Sequence, residues 1–265
     1  MHFPWFYVKA NFLSHTAWRV KGKLRQIQGR ALRSLGIQKR QWAESLPDEI
    51  AFWENALREG GRAWDPKELQ KRLNPDLELQ DDLKALIDAP PQSVVRILDV
   101  GAGPLTTLGK RWEGRQLQIV AVDPLAEKYD ALLDSLSICP PVKTVFGRGE
   151  SLLQRFKENE FDLAYASNSL DHSEDPIDTI RQMLAVVKDL HFVYLWHFAN
   201  AGLAANYEGL HQWNFDIEGD DFVLKGARRT FSLAAEFKAQ AELQAEATTG
   251  YGNKVVIAKL KKLTA

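Results

Sequence analysis

From residue 94 onward, short β-branched and aliphatic runs alternate with amphipathic stretches. Val94, Val95, Ile97 and Leu98 form the first run, which stops at Asp99. Strands are predicted over 95–99, 117–122, 142–146, 161–167 and 190–196. Helices are predicted over 106–113, 125–136, 149–157 and 176–187, the last opened by Asp175-Pro176. Continuous apolar runs mark strands buried on both faces. Strands alternating with helices predict right-handed crossovers and a parallel sheet. Past residue 213 the pattern changes. Apolar runs at 215–217 and 222–224 flank Glu218-Gly219-Asp220-Asp221 and predict a β-hairpin. Ser232 is placed to cap a helix reaching about residue 239. Runs at 240–247 and 254–262, joined by Gly250-Tyr251-Gly252-Asn253, predict an antiparallel pair that closes one side of the sheet.

The first 90 residues read as helical. Residues 1–43 carry no Asp or Glu, while Val20, Leu24, Ile27, Ala31 and Leu35 recur at helical spacing between basic residues. Two readings stand for this basic amphipathic stretch: its apolar stripe packs on the domain, or it lies on an anionic membrane surface. An Arg-rich transit peptide is a third. Ser45-Leu46-Pro47-Asp48 has the composition of a helix start, and Gly60-Gly61 that of its end. One or two helices follow over 66–88, interrupted at Asn74-Pro75. Ala89-Pro90-Pro91 places a boundary: 1–90 as a helical N-terminal extension, 91–265 as an α/β domain.

Composition narrows the class. Of 265 residues, 45% are hydrophobic and 26% charged, and the net charge is −1. That is ordinary for a globular chain and carries no global DNA-binding footprint. The single cysteine, Cys139, excludes an internal disulfide framework, so a reducing cytoplasm is the expected location, with the inner face of a membrane as the extension of that reading. No apolar run reaches the roughly 18–20 residues of a spanning helix.

Candidate chemistry begins at Asp99. Gly101 and Gly103 follow the first strand in a tight loop, as in a nucleotide-binding βα turn. Glycine lets the backbone approach a ligand closely. Asp123 ends the second strand, 20 residues past Gly103. An acidic residue there can accept from both hydroxyls of a ribose, and can also cap the helix that Pro124 opens.

ILDVGAGP followed by VAVDP resembles the class I S-adenosylmethionine-dependent methyltransferases. FGRGESL (146–152) and FDLAYASNSLDHSEDP (161–176) are similar to further segments of the small-molecule group called type 11. The resemblance implies a Rossmann-like, mostly parallel seven-stranded sheet with an antiparallel C-terminal pair, and S-adenosyl-L-methionine as cofactor. It assigns the methionine part to Asp99, Gly101, Ala102 and Gly103. It assigns the ribose to Asp123 and Pro124, and the adenine edge to Arg148 and Glu150. Asn168 and Ser169 fall beside the sulfonium. Two departures stand out. Leu105 occupies the neighbourhood of the family's third glycine and is expected to tolerate replacement by glycine. Arg148 stands where an adenine-accepting Asp is common, and a guanidinium cannot accept that bond.

Methyl transfer is an in-line displacement whose acceptor must be aligned, shielded and where necessary deprotonated. Two polar segments are expected to face the cleft: the loop after 161–167 and the His-, Asn- and aromatic-rich stretch after 190–196. His197, His172 and His211 are the candidate bases, since a histidine titrates at about 6.5. Asp171, Asn200, Tyr207 and Trp213 are the candidate acceptor-binding residues. Asp171, Asp175 and His197 do not form a diagnostic ligand spacing, so no metal is expected. The leading expectation is a methyltransferase acting on a hydroxyl of a small molecule or glycan. Its alternatives are a non-catalytic membrane-peripheral binding protein and an RNA or protein methyltransferase.

Overall fold

A computed structural model describes residues 38–58, 66–207, 209–226 and 229–264. Among the described residues three helices precede the first strand: α1 (Gln38–Arg58), α2 (Pro66–Leu73) and α3 (Asp81–Lys84). Apart from the start of α1, the basic stretch 1–43 lies outside the described residues, as does the Gly60-Gly61 stop. Ser45 does not begin a helix. α1 starts seven residues earlier and runs through Pro47, so Ser45 is internal and buried.

The main sheet contains β1 (Val94–Val100), β2 (Gln116–Asp123), β3 (Thr144–Phe146), β4 (Phe161–Ser167), β5 (Val187–Phe198), β9 (Ala241–Gly250) and β10 (Asn253–Lys262). Its order is β3-β2-β1-β4-β5-β10-β9. The first five strands are parallel, and β10 is antiparallel to both β5 and β9. This is the Rossmann-like sheet expected. α4 (Ala126–Ser135) and α5 (Pro176–Val186) fill the crossovers. Asp175 caps α5 by accepting from Asp178 N, with Pro176 in the first turn. The helix expected over 149–157 is a short 3-10 segment, Gly149–Gln154.

The helix expected over 106–113 does not form. Thr106 instead donates its hydroxyl to Asp99 Oδ2 (2.5 Å) and accepts from Leu108 N (3.1 Å), a local pattern that competes with helix. The chain before α3 crosses this loop: Leu79 N donates to Arg111 O (2.8 Å) and Lys110 N to Leu77 O (2.7 Å). At Gly109 an ideal Cβ would stand 2.0 Å from Glu78 O, so only glycine passes beneath that crossing strand. Leu79, Leu83 and Ile87 then cover the sheet face formed by Ile97, Leu163, Tyr165, Tyr194 and Ile257. On the opposite face, Ile177, Ile180, Met183 and Leu184 of α5 pack on Leu98, Ala164, Val193 and Leu195.

Leu105 is 1% exposed and sits with Trp53, Leu57, Leu69, Tyr129 and Leu132, joining α1, α2 and α4. The expectation that glycine would be tolerated there is corrected by this burial, because removing the side chain opens a cavity.

Between β5 and β9 lies an insertion. α6 (Ala201–Ala204) is followed by a three-stranded antiparallel sheet of β6 (Trp213–Glu218), β7 (Asp221–Gly226) and β8 (Thr230–Ser232), then by α7 (Leu233–Phe237). The expected hairpin is β6–β7, and Ser232 Oγ caps α7 by accepting from Ala235 N (3.0 Å).

Candidate active site

The glycine loop is built from three directions. Gly101 N and Ala102 N donate to Val122 O. Gly103 N donates to Asp123 Oδ2 (3.1 Å), and Thr144 Oγ1 donates to Gly103 O (2.7 Å). Gly101 and Gly103 have φ of +71° and +64°, a region that L side chains enter only at a cost. Ser169 closes the floor: its hydroxyl donates to Val100 O (2.9 Å), and a Cβ at 101 would lie 2.4 Å from Ser169 Cβ.

A cavity of about 140 Å³ opens above this loop. Asp99, Gly101, Ala102, Gly103, Asp123, Pro124, Glu150, Asn168 and Ser169 line it, as do Leu46, Glu49, Phe52 and Trp53 of α1. α1 therefore lies over the cleft as a cover. Burial pushes the Asp99 carboxyl up to about 6 and the Asp123 carboxyl up to about 7. Asp123 Oδ1 accepts from Leu125 N and Oδ2 from Gly103 N. Each oxygen keeps a second lone pair for a ribose hydroxyl. The positive-φ glycines and this acceptor fit the methionine and ribose parts of S-adenosylmethionine.

Arg148 does not line the cavity. Its guanidinium donates to Glu174 Oε1 (2.7 Å). Glu150 Oε1 accepts from Glu174 N (3.0 Å), which ties the adenine-side segment to the loop before α5. Asn168 adopts φ +47° and its side-chain oxygen accepts from Phe198 N (2.8 Å), fixing the ends of β4 and β5 together.

A second cavity, of about 360 Å³, shares Arg72, Thr107, Ser167 and Asn168 with the first. Its wall is aromatic: Tyr165 of β4, Tyr194, Trp196 and Phe198 of β5, and Tyr251 of the β9–β10 turn. Tyr165 and Tyr194 are register partners and stack at 5.8 Å. Tyr194 Oη donates to Asp82 Oδ2 (2.6 Å) and Tyr251 Oη to Glu68 Oε2 (3.2 Å). Trp196 and Phe198 belong to the aromatic-rich stretch expected to face the cleft, whereas Tyr165, Tyr194 and Tyr251 do not follow from the sequence. The signal was the period of two along β5, which puts residues 194, 196 and 198 on one face.

The same alternation turns His197 away. It is 1% exposed, lies against Phe215 (4.6 Å between rings), and neither ring nitrogen has a hydrogen-bond partner. Burial lowers its pKa to about 4. It lines neither cavity, so a base role for it is corrected by its placement. Three of the expected acceptor residues, Asn200, Tyr207 and Trp213, also stand outside both cavities. Asn200 is the left-handed residue before α6. Tyr207 Oη accepts from Asn214, and Trp213 is buried with its indole N–H donating to Ser173 O (3.1 Å).

His172, Asp171 and His211 do come together. His211 Nδ1 is 2.5 Å from Asp171 Oδ2 and 3.0 Å from His172 Nε2, and His172 Nε2 is 3.5 Å from Asp171 Oδ2. His172 lines the first cavity, and its Nδ1 faces Glu49 Oε2 of α1 at 3.7 Å. Burial opposes ionisation of Asp171, but the two histidines outweigh it and hold the carboxyl well below its usual range.

Residues 98–194 match the sequence model of the family described as a methyltransferase domain. No curated protein matches the chain. Among solved structures, it is similar to a chain from the complex between the Haloferax volcanii Trm112 methyltransferase activator and the putative methyltransferase. The identity is 10%, over 82% of this chain and 97% of that one, with a TM-score of 0.51. It is also similar to the 1,6-didemethyltoxoflavin-N1-methyltransferase of Burkholderia thailandensis, determined with 1,6-didemethyltoxoflavin and S-adenosylhomocysteine. There the identity is 16%, over 85% and 90% of the two chains, with a TM-score of 0.46. The matched segment covers 97 of the 265 residues, from the end of β1 into β5. Asp99, the glycine loop and Asp123 lie within it. Among the described residues no helix is long and apolar enough to cross a membrane.

Proposed function

We propose that the enzyme methylates a hydroxyl oxygen of a small polyhydroxylated acceptor, a sugar or sugar-like ring. The observation that carries this reading is the second cavity. Its five aromatic side chains are rimmed by Glu68, Arg72 and Asp82, and it meets the cofactor cavity at Ser167 and Asn168. Aromatic faces suit the C–H faces of a sugar, and the charged rim suits its hydroxyls. Its size lies in the range of about 300–1,000 Å³ common for small-molecule sites.

In this reading Asp99 and the glycine loop hold the methionine end, and Asp123 holds the ribose. Glu150 borders the adenine. Asn168 and Ser169 border the sulfonium. The sulfonium supplies an already activated methyl group. The chain's own work is to align the acceptor oxygen, exclude water beneath α1 and promote loss of the hydroxyl proton. The polar group at the cavity edge that can promote that loss is Asp171, His172 and His211. The division at residue 90 is proposed in modified form: residues 77–89 pack as part of the catalytic domain, and α1 serves it as a cover.

Calorimetry with S-adenosylhomocysteine, followed by methyl-transfer assays over a panel of mono- and disaccharides, tests the reading. Labelled methyl groups should appear on sugar hydroxyls, with Trp196→Ala raising KM for the sugar. Tight cofactor binding together with transfer only to apolar or amine acceptors would overturn the acceptor class.

A further inference from the structure

We propose that Asp171, His172 and His211 form a binding site for a divalent transition-metal ion at the edge of the cofactor cavity. The proposal deepens the reading above and rests on it for its catalytic role. It replaces the expectation of no metal.

The geometry of the three donor atoms carries it. Asp171 Oδ2, His172 Nε2 and His211 Nδ1 lie 2.5, 3.0 and 3.5 Å from one another. A cation about 2.1 Å from each donor separates neighbouring donors by about 3.0 Å in octahedral and about 3.4 Å in tetrahedral coordination. Two of the three separations match, and the third is shorter. Among the described residues this is the one such convergence of His, Cys, Asp or Glu atoms.

Hydrogen bonding alone accounts for the triangle poorly. A ring nitrogen offers either one proton or one lone pair. If His211 Nδ1 donates to Asp171, His172 Nε2 either donates to the same oxygen from 3.5 Å, which brings two N–H groups to 3.0 Å, or turns its lone pair toward that proton. If His172 donates to His211, the lone pair of Nδ1 faces a carboxylate oxygen at 2.5 Å. A cation gives all three lone pairs one partner.

The surroundings supply a second, independent feature. Metal-bound histidines usually direct their other ring N–H at a carboxylate. His172 binds through Nε2, and its Nδ1 faces Glu49 of α1. Gln212 N donates to Asp171 O (2.9 Å), holding the His211 segment against the loop after β4. Imidazole and carboxylate donors select zinc, manganese, cobalt or iron over magnesium and calcium. Three protein ligands leave a coordination position open, the pattern of catalytic rather than structural sites. His172 lines the cofactor cavity while Asp171 and His211 stand outside that lining, so the site lies at the cavity's edge. A hydroxyl bound there loses its proton to solvent more readily. Its oxygen then bonds the methyl carbon as the carbon–sulfur bond breaks, and that electron pair stays on sulfur.

The test is titration of the full chain with Co²⁺, followed by calorimetry and visible absorption, with S-adenosylhomocysteine binding measured in parallel. One Co²⁺ per chain is expected, with d–d bands that shift on adding azide. His211→Ala and Asp171→Asn should abolish the bands. Glu49→Gln should weaken binding about 10–100-fold. Should Asp171→Asn fold poorly, His172→Ala replaces it, because His172 is the more exposed side chain. Wild-type protein that binds S-adenosylhomocysteine but neither Co²⁺ nor Zn²⁺ overturns the site. Cation binding that survives these substitutions does the same. Bands unmoved by azide overturn the open position. Cation binding without S-adenosylhomocysteine binding leaves the metal site standing and defeats the methyltransferase reading instead.

Discussion

Trp53 of α1 stands directly against Gly103. An ideal Cβ at residue 103 would lie 2.9 Å from Trp53 Cζ2. The cover and the cradle are thus fitted to each other through the absence of one methyl group. Trp53 is held there by its indole N–H donating to Glu49 Oε1 (2.9 Å) and by edge contact with Tyr129.

Gly103→Ala should therefore weaken S-adenosylhomocysteine binding at least tenfold and change tryptophan fluorescence. Adding Trp53→Ala should recover part of the loss, because the clash is relieved while the left-handed backbone strain remains. Calorimetry on the three variants decides it; no recovery would place the whole effect in the backbone. Gly101→Val, aimed at Ser169, should abolish binding.

Leu105→Ala should lower stability by about 2–5 kcal/mol, the range for a leucine removed from a packed site. Chemical denaturation of the apo protein measures it. A change under 1 kcal/mol, roughly the level of a surface substitution, would mean that α1 and α2 can close over the gap.

Cofactor affinity should rise with pH through about 7, the value to which burial pushes Asp123. Below it the carboxyl is protonated and loses an acceptor. Ribose hydroxyls favour the ionised form, so binding releases a proton and weakens by up to about tenfold per pH unit as pH falls. Calorimetry between pH 5.5 and 8.5 (roughly a decade and a half on either side of the transition) checks it. Asp123→Asn should bind weakly and show a flatter profile.

Neighbouring residues on β5 should behave oppositely. Trp196→Ala should impair acceptor binding and leave S-adenosylhomocysteine affinity intact. His197→Phe should leave both intact and stabilise the protein toward acid. Burial lowers the His197 pKa to about 4, below the unfolded value near 6.5. The unfolded chain then binds the extra proton, so stability falls as pH drops from 6.5 toward 4, by up to roughly 3 kcal/mol. Thermal melts across that window, wild type against variant, read the difference.

Much of the cofactor side was legible because it depends on local chain chemistry. Asp99, the two glycines and Asp123 act through a strand end and a turn. The acceptor side depends on which elements meet, and there local reading went astray. His197 attracted a catalytic role by its type, yet strand alternation puts Trp196 and Phe198 on the cavity face. The helix expected after the glycine loop was cancelled by residues 77–80, far back in the chain. Pro104, the β-branched Thr106 and Thr107, and Gly109 were the warning, being poor helix formers. The convergence of Asp171 and His172 with His211 was invisible, since about forty residues of β-structure and helix separate them.

The position of β10 bears on how the protein is made. It is synthesised after β9 but lies inside the sheet, between β9 and β5. Until it emerges from the ribosome, the long edge of β5 has no neighbour on that side, although β1 to β5 can already pair. An open edge of that kind invites pairing with another chain. A chain released before residue 253 would hold β1 to β5 and lack both the partner of β5 and the turn that brings Tyr251 to the aromatic wall of the second cavity. Released chains ending before residue 253 should aggregate, and chains that carry the ten residues of β10 should not.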